Sequence, residues 1–274
     1  LVAAAAPDGR ILRRALHATP SGLAEGIDLL TKMAREVAAE EPVLAIGAAI
    51  GGPLDWRQGI VSPLHQHQWR DVPLRTIFEN EFEVPFAVDV DTNIAALGEY
   101  RFGSRVPERL IYITVSTGVG GGILIDGQIY RGASGAHPEI GHQAIPFRSS
   151  VAGINGELMQ CECGASGCLE VFVSGRGIRR LYGKRAEGLS DNEWDEVGYN
   201  LGQGLRNVAV MYAPDLIVLG GGVAIGGGKR LLRTAESAMA ENLKLVPPPE
   251  VQLSRLGYET ALMGAVALAM TVAS

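Results

Sequence analysis

The chain has 274 residues, of which 47% are hydrophobic and 36 are glycine, and its formal net charge is −6. This length suffices for one large or two modest domains with a filled core. The acidic balance argues against a nucleic-acid surface on this chain. No run of about 18 apolar residues occurs, and the C-terminal stretch 261–273 predicts a packing helix rather than a membrane span.

The first part of the chain is predicted to alternate strands and helices. An N-terminal hairpin precedes a helix that Ser21 is placed to cap, with its apolar positions on one face. The apolar run 43–50 ends at Gly51-Gly52-Pro53, which is typical of a buried parallel strand that opens into a functional loop. A shorter strand at 86–90 leads directly into a helix that starts at Asp91.

The later part repeats this alternation. A strand at 110–115 begins a second sheet, and strands 121–125 and 128–131 form a hairpin around Asp126-Gly127. The remaining elements are a strand at 216–219 and helices at 175–183, 194–212 and 260–271. Helix after strand in two halves, each with a glycine-rich turn, predicts two α/β lobes around a cleft. We expect a smaller lobe of residues 1–104 plus 258–274 and a larger lobe of residues 105–257.

The three cysteines of the chain form a cluster. Cys161, Cys163 and Cys168 lie on a glycine-rich segment, and His142 lies upstream. Three thiolates and one imidazole make a closed tetrahedral zinc site, which suits a structural role because no position is left for water. Buried inert cysteines are the alternative, but the clustering favours zinc. An odd cysteine count without a secretory signal also predicts a cytoplasmic location.

Several motifs together resemble the ROK family of repressors, open reading frames and sugar kinases. In chain order they are Gly51-Gly52-Pro53-Leu54-Asp55, Asp91-Thr92-Asn93-Ile94-Ala95-Ala96-Leu97-Gly98-Glu99, Ser116-Thr117-Gly118-Val119-Gly120-Gly121-Gly122, Glu139-Ile140-Gly141-His142, Cys161-Glu162-Cys163-Gly164-Ala165-Ser166-Gly167-Cys168-Leu169-Glu170 and Val218-Leu219-Gly220-Gly221-Gly222-Val223. The resemblance covers nearly the whole chain and implies an α/β fold of the actin-like ATPase (RNase H-like) type. It also implies a first strand with an Asp-x-Gly-Gly-Thr phosphate loop; no such run occurs here, and we expect the chain to begin downstream of it.

The resemblance assigns Asp91 as the general base, which takes the proton from a sugar hydroxyl as that hydroxyl attacks the γ-phosphate. From its position alone, Asp91 is equally well read as a helix N-cap. The resemblance further implies sugar contacts by Gly52, Asp91, Glu139, His142 and Glu170. The two glutamates, taken alone, are also readable as ordinary surface acids. His142 is expected to bind zinc through one ring nitrogen and the sugar through the other.

Two glycine-rich loops are expected to hold ATP with Mg²⁺. Backbone N–H groups without a neighbouring Cβ can crowd around phosphate oxygens, although a glycine-rich hairpin alone is a weak signal. The residues that the resemblance implies for the nucleotide are Thr117, Gly118, Gly120, Gly220 and Gly221. Neither loop is a Walker loop, because no Gly-Lys-Ser/Thr follows.

The nature of the sugar stays open. Val90 stands where most ROK glucokinases have a sugar-binding Asn, and the runs 89–93 and 137–139 resemble a fructose-preferring branch. The cysteine segment, in contrast, is of the glucokinase type. The 18 residues between His142 and Cys161 resemble members that act on N-acetylhexosamines. Glucose, fructose, mannose and N-acetylhexosamines are therefore all candidates.

These features predict a homodimeric, ATP-dependent hexose kinase with structural zinc, and no nucleic-acid or membrane partner. One alternative is the sugar-binding effector domain of a ROK transcriptional repressor, which acts through an N-terminal winged helix. Another is a sugar-binding remnant without catalysis. Asp91 favours the kinase, because a pure sensor has no need of a base.

Overall fold

A computed structural model describes residues 1–151, 159–241 and 243–273. Their contacts group them into two compact units. The first unit consists of Leu1–Gly103, Ala133–Gly135 and Glu259–Ser274, and the second of Ser104–Gly132 and Ala136–Tyr258. Within the described ranges, no helix combines the length and apolar character that crossing a bilayer requires.

The first unit combines short sheets with helices around a buried apolar cluster. Strands β1 and β2 form an antiparallel hairpin, β3 and β7 pair in parallel, and β4, β5 and β6 form a small antiparallel sheet. The elements are β1 (Val2–Ala5), β2 (Ile11–Ala15), α1 (Leu23–Ala38), β3 (Ile46–Ile50), β4 (Leu54–Asp55), β5 (Ile60–Val61), β6 (Val72–Pro73), α2 (Leu74–Phe82), β7 (Phe86–Val90), α3 (Asp91–Phe102) and, from the end of the chain, α8 (Thr260–Val272).

Helices α3 and α8 approach each other closely because glycines face the contact. A β-carbon on Gly264 would overlap the carbonyl oxygen of Ile94, and one on Gly98 would lie 2.8 Å from the backbone nitrogen of Gly264. The partner helix therefore takes the space that side chains would need. This packing holds α3, and with it the end of β7, in a defined place within the unit.

Two local predictions for this unit are wrong in detail. Ser21 does not cap α1: the N-cap residue is Gly22, whose carbonyl accepts the first intrahelical bond from Gly26, and no side chain caps the helix. The strand predicted at 43–50 begins only at Ile46, because its parallel partner β7 begins at Phe86, opposite Ile46. Apolar content alone does not reveal where a partner strand begins.

The second unit is built on one five-stranded sheet with the order β10-β9-β8-β11-β12. Strands β8, β11 and β12 are parallel, whereas β9 and β10 run antiparallel to their neighbours. The elements are β8 (Arg109–Val115), β9 (Val119–Ile125), β10 (Gln128–Ile129), α4 (Glu170–Val173), α5 (Gly175–Tyr182), α6 (Asp191–Tyr212), β11 (Leu216–Gly220), α7 (Gly222–Ala240) and β12 (Glu250–Leu253).

Helix α6 begins three residues earlier than predicted because a capping box fixes its start. Ser190 is the N-cap residue, and its side chain and that of Glu193 satisfy each other's backbone N–H groups. Hydrogen bonds from the Lys184 side chain and from Ser190 lower the pKa of Glu193 to about 2. The run Ser-x-x-Glu was present in the sequence as a signal for this boundary.

The sheet of the second unit brings two loops to one edge. Strands β8 and β11 are parallel neighbours, with Thr114 opposite Gly220. The loops that follow them therefore leave the sheet side by side at its carboxyl edge, which is where ligands bind in open parallel sheets.

Candidate functional site

His142 and the three cysteines lie together in the second unit. Their four ligand atoms all lie within 4.8 Å of one another. The His142 Nδ1 is 3.4 Å from the Cys161 Sγ, and the Cys163 and Cys168 sulfurs are 3.7 Å apart. The sulfurs form no disulfide. The arrangement is a candidate metal centre of one imidazole and three thiols.

Local backbone bonds shape the cysteine segment. The Cys161 N–H donates to the Ala165 carbonyl, and the Gly164 N–H donates back to the Cys161 carbonyl, which closes a tight turn. Gly164 has a φ of 92°, in the left-handed region that favours glycine. An antiparallel bridge between Ala144 and Cys168 ties the segment to the residues that follow His142. Sequence spacing and backbone turns thus bring the four ligands together.

The donor set and its distances fit a tetrahedral zinc ion. Zn–S bonds of about 2.3 Å in a tetrahedron place sulfurs about 3.8 Å apart, close to the separation of Cys163 and Cys168. Burial raises the pKa of the Cys168 thiol to about 12 and also raises that of Cys161, whereas a backbone hydrogen bond to Ala165 lowers that of Cys163. A metal ion is the group that would stabilise the thiolates at neutral pH.

Glu139 lies beside the imidazole of His142. Its carboxylate is 4.0 Å from the His142 Nε2 and 3.5 Å from the His137 Nε2. Since Nδ1 of His142 faces Cys161, the ring presents one nitrogen to the cysteines and the other toward Glu139. A carboxylate near the second nitrogen of a metal-binding histidine is a common way to orient that ring. His137 was not among the predicted site residues.

Glu170 begins α4 directly after the cysteine segment, and its side chain is 13% exposed. Its Oε2 accepts a 2.8 Å hydrogen bond from the backbone N–H of Val119, and its Oε1 lies 3.7 Å from the Arg176 guanidinium. A β-carbon on Gly118 would lie 2.6 Å from the Glu170 carboxylate. The predicted sugar-binding carboxylate is therefore in contact with the first glycine-rich loop.

The two glycine-rich loops meet at the carboxyl edge of β8 and β11. Gly221 has a φ of 86°, and a β-carbon there would lie 2.5 Å from the Val115 carbonyl oxygen. Helix α7 begins at Gly222, and α5 begins at Gly175, whose N–H donates to the Ser116 carbonyl. The first N–H groups of α5 are already bonded to the Ser116 and Thr117 carbonyls and to the Ser174 hydroxyl. The N–H groups at the start of α7 and in the glycine turns therefore make this edge suited to phosphate groups.

The predicted nucleotide residues are distributed over this edge. Thr117 and Gly118 form the turn between β8 and β9, and Gly120 lies in β9 opposite Thr114. Gly220 is the last residue of β11, and Gly221 follows it. Two neighbouring features escaped the sequence reasoning: the capped start of α5 at Ser174, and the contacts of Arg176 with Glu162 and Glu170. The run Ser174-Gly175 was a signal for the helix start, but no spacing rule predicts the arginine contacts.

Asp91 and Gly52 belong to the first unit. Asp91 is exposed and is the first residue of α3, immediately after β7, and its Oδ1 accepts a 2.8 Å hydrogen bond from the Thr92 N–H. The N-cap interpretation of Asp91 is wrong, because Val90 occupies the cap position. Since β3 and β7 pair in parallel, the loop with Gly52 leaves the same sheet edge; a β-carbon on Gly52 would lie 3.8 Å from Val90.

A buried polar pair lies behind Asp91. The Asp89 side chain, 2% exposed, accepts hydrogen bonds from the Val90 N–H at 2.7 Å and from the Asn93 side-chain amide at 2.9 Å. Asp89 is the second-last residue of β7 and Asn93 lies in the first turn of α3. The pair thus bonds the strand to the helix on both sides of Asp91.

The chain belongs to the ROK family, whose sequence model matches residues 3–272. It has the α/β fold of ROK hexokinases, which is the actin-like ATPase fold. A ROK hexokinase from Thermus thermophilus has a TM-score of 0.82 and 29% identity, with 97% of this chain and 91% of that chain covered. A Streptomyces griseus ROK glucokinase, solved with glucose and AMPPNP, has a TM-score of 0.77 and 27% identity, covering 98% and 95%.

Both kinases and repressors are found among the relatives in sequence. A xylose repressor of Caldicellulosiruptor bescii is 28% identical over 89% of this chain and 67% of its own length. A glucokinase of Halalkalibacterium halodurans is 28% identical over 82% of this chain and 76% of its own length. The chain spans only 53% of a Bacillus subtilis xylose repressor, to which it is 29% identical. Family membership therefore allows either function.

Proposed function

We propose that this protein transfers the γ-phosphoryl group of ATP to a hydroxyl of a hexose, with a structural zinc ion at His142, Cys161, Cys163 and Cys168. The observation that carries the proposal is the placement of Asp91. It is an exposed carboxylate at the first position of a helix, directly after a buried parallel strand and in the motif where ROK kinases have their base. A sugar sensor has no use for a proton acceptor there.

In this proposal, Asp91 accepts the proton of the attacking hydroxyl. The hydroxyl oxygen forms a bond to the γ-phosphorus while the bond from that phosphorus to the leaving ADP oxygen breaks. The buried Asp89–Asn93 pair supports the role by tying the strand to the first helical turn around Asp91. Gly52, at the same sheet edge, leaves room for the sugar because it has no side chain.

The second unit supplies groups for both substrates. The proposed nucleotide contacts are the Thr117–Gly118 turn, Gly120, Gly220 and Gly221. The proposed sugar contacts are Glu139, His142 and Glu170, which would form hydrogen bonds with sugar hydroxyls. The convergence of two glycine loops and the start of α7 supports phosphate binding at this edge. Mg²⁺ bound with ATP would neutralise charge that develops on the phosphates.

Coupled ADP-release assays on the complete gene product, with glucose, fructose, mannose and N-acetylglucosamine, test the kinase. We expect hexose-dependent ADP release with at least one sugar, and a rate at least about 100-fold lower when Asp91 is replaced by Asn. ADP release that does not depend on any of these sugars would contradict the proposal.

Elemental analysis of protein purified without added metal tests the zinc site. We expect about one zinc per chain, as four closed ligands imply. Removal by a strong chelator should lower the thermal midpoint and abolish hexose binding, because metal-binding energy contributes to folding at such sites. Unchanged hexose affinity in the metal-free protein would contradict this part of the proposal.

The second candidate is a sugar-binding effector domain of a transcriptional repressor. Its support is the 28% identity with a xylose repressor over 89% of this chain. This function predicts sugar binding without ADP release, and an affinity that Asp91→Asn reduces only modestly. Calorimetric titration with xylose and the four hexoses, beside the ADP assay, separates the two functions.

A further inference from the structure

Arg176 connects the cysteine segment to the carboxylate proposed for the hexose. We propose that Arg176 is a positioning residue for hexose binding, and that Glu162 holds its guanidinium in place. The inference rests on the proposed function, since it takes Glu170 as a hexose-binding group. Arg176 itself is not required to touch either substrate.

The guanidinium of Arg176 bridges two carboxylates. Its Nη1 donates to both oxygens of Glu162, at 2.6 and 2.7 Å, and its Nη2 lies 3.7 Å from the Glu170 Oε1. Its backbone is fixed as well, because the Arg176 N–H donates to the Thr117 carbonyl. The backbone of Arg176 is therefore bonded to the first glycine-rich loop, and its guanidinium contacts the carboxylates of Glu162 and Glu170.

The two oxygens of Glu170 are engaged by different groups. Oε2 accepts the Val119 N–H at 2.8 Å, while Oε1 faces the Arg176 guanidinium. With both partners in place, one hydrogen bond and one ion pair favour a single orientation of the carboxylate plane. Without the guanidinium, the Val119 bond alone leaves rotation about the terminal torsion, which has a broad energy profile. A hydroxyl that bonds Glu170 would then meet a poorly oriented acceptor.

Glu162 connects the Arg176–Glu170 contact to the candidate metal centre. It stands between Cys161 and Cys163, so the turn that gathers these ligands also sets the position of Glu162. The resulting chain of contacts runs from the cysteine turn through Glu162 and Arg176 to Glu170. Through these contacts, the conformation of the cysteine segment can influence the orientation of Glu170. This influence is separate from the contribution of the segment to folding.

The Glu162–Arg176 pair has little to do with stability. The side chains of Arg176 and Glu162 are 44% and 71% exposed, and exposed ion pairs contribute little to folding. Both side chains also border a cavity of about 120 Å³. They are therefore not tightly packed, and shortening the side chain at position 176 removes few packing contacts. Substitution of Arg176 is therefore expected to change orientation at Glu170 without unfolding the segment.

Arg180 provides a matched control. It lies one turn further along α5, and its guanidinium donates to the Gln160 carbonyl at 2.9 Å, so it also contacts the cysteine segment. It forms no ion pair with Glu162 or Glu170 within the described residues. Arg180→Gln therefore removes an arginine of the same helix and surroundings without touching the proposed chain.

The test measures hexose Kd by calorimetry, using whichever of glucose, fructose, mannose and N-acetylglucosamine the wild-type protein phosphorylates. Arg176→Gln should weaken hexose binding by up to about fivefold, as expected for the loss of a partly exposed ion pair to Glu170. The KM for ATP, the zinc content and the thermal midpoint should stay at wild-type values. Arg176→Lys should give an intermediate Kd, because one ammonium cannot span both carboxylates. Arg180→Gln should bind like the wild type.

A double variant tests the link to Glu162. If Glu162 acts through Arg176, then Glu162→Gln combined with Arg176→Gln should bind the hexose no more weakly than Arg176→Gln alone. Additive losses would overturn the linkage. An unchanged hexose Kd in both Arg176 variants, or a rise confined to the KM for ATP, would overturn the positioning role. If the wild-type protein binds none of these sugars, the proposed function itself is wrong. That result comes from the wild-type titration alone and is therefore distinguishable from a failure of the Arg176 proposal.

Discussion

The carboxyl edges of two parallel strand pairs, β3–β7 and β8–β11, present different chemistry. In the first unit, β7 passes directly into α3, and the first helical residue is the exposed carboxylate of Asp91. In the second unit, the segments 116–122 and 220–223, at the ends of β8 and β11, include no acid. There the edge offers backbone N–H groups of glycines and of the start of α7, and the neighbouring Glu170 carboxylate is bonded to the Val119 N–H.

The difference teaches that residue type at the strand end, rather than topology, decides what such an edge can bind. A carboxylate accepts protons and repels phosphate, whereas glycine turns approach phosphate oxygens without side-chain hindrance. Both edges share parallel strands and following helices. In the proposed function, the first edge would activate a hydroxyl and the second would hold an anion.

The largest expected effect comes from removing the carboxylate of the first edge. Asp91→Asn should lower kcat at least about 100-fold, because the amide cannot accept the hydroxyl proton, while the KM for ATP should change little. Steady-state kinetics with the preferred hexose measure both parameters. Asp8→Asn, a carboxylate in the β1–β2 turn of the same unit, serves as the control and should be silent.

Retention of more than about a tenth of wild-type turnover by Asp91→Asn would reject Asp91 as the base. A fall in kcat accompanied by a matching loss of ATP affinity would contradict the contrast between the edges, because it would place Asp91 in the nucleotide site.

The second edge is tested at its most constrained glycine. Gly221→Ala puts a β-carbon 2.5 Å from the Val115 carbonyl oxygen at a φ of 86°. We expect the KM for ATP to rise about tenfold and the unfolding free energy to fall by about 1–3 kcal/mol, because the loop must shift. Hexose Kd should be unaffected if the edge serves the nucleotide.

Gly226→Ala is the matched control for Gly221→Ala. It lies on α7, and a β-carbon there would meet no atom within 4 Å. Alanine favours a helix over glycine by up to about 1 kcal/mol, so stability should hold or rise. An equal loss of ATP affinity in both variants would show that the backbone geometry at Gly221 does not determine nucleotide binding.

The features of these edges that could be predicted from the sequence are those formed by residues close together in the chain. The cysteine cluster, the start of α3 at Asp91 and the hairpin around Asp126-Gly127 were predicted, because each depends on residues close in the chain. The ROK family and its fold were also predicted, from motifs spread over the chain, and are confirmed. Local patterns and motif order carry that much information.

Contacts between distant segments were not predictable in the same way. The placement of Gly221 against Val115 depends on the pairing of β8 with β11, which are about a hundred residues apart in the chain. The Glu162–Arg176 pair depends on how α5 packs against the cysteine turn. Even the caps depended on context: Ser21 was expected to cap α1, but the chain reaches helical conformation only after Gly22.

A smaller effect is expected from the polar pair behind the first edge. Asn93→Ala removes one hydrogen bond to the buried Asp89 carboxylate, which should cost about 1–3 kcal/mol of unfolding free energy. Denaturant titration measures it. Asn207→Ala, an exposed amide bonded to the Ala144 carbonyl, should cost less than about 0.5 kcal/mol. Equal costs would indicate that the Asp89–Asn93 bond contributes no more than a surface contact.

The smallest expected effect concerns the helix start of the second edge. The Ser174 hydroxyl caps α5 by accepting the Gly177 N–H, and its loss in Ser174→Ala should cost about 1 kcal/mol. Since the first turn of α5 also bonds the Ser116 and Thr117 carbonyls, the KM for ATP should rise about two- to threefold. Ser190→Ala removes a similar cap from α6, which the proposal leaves out of the nucleotide site. It should lose comparable stability at an unchanged KM, so a rise in KM in both variants would mean that general destabilisation, rather than the start of α5, weakens nucleotide binding.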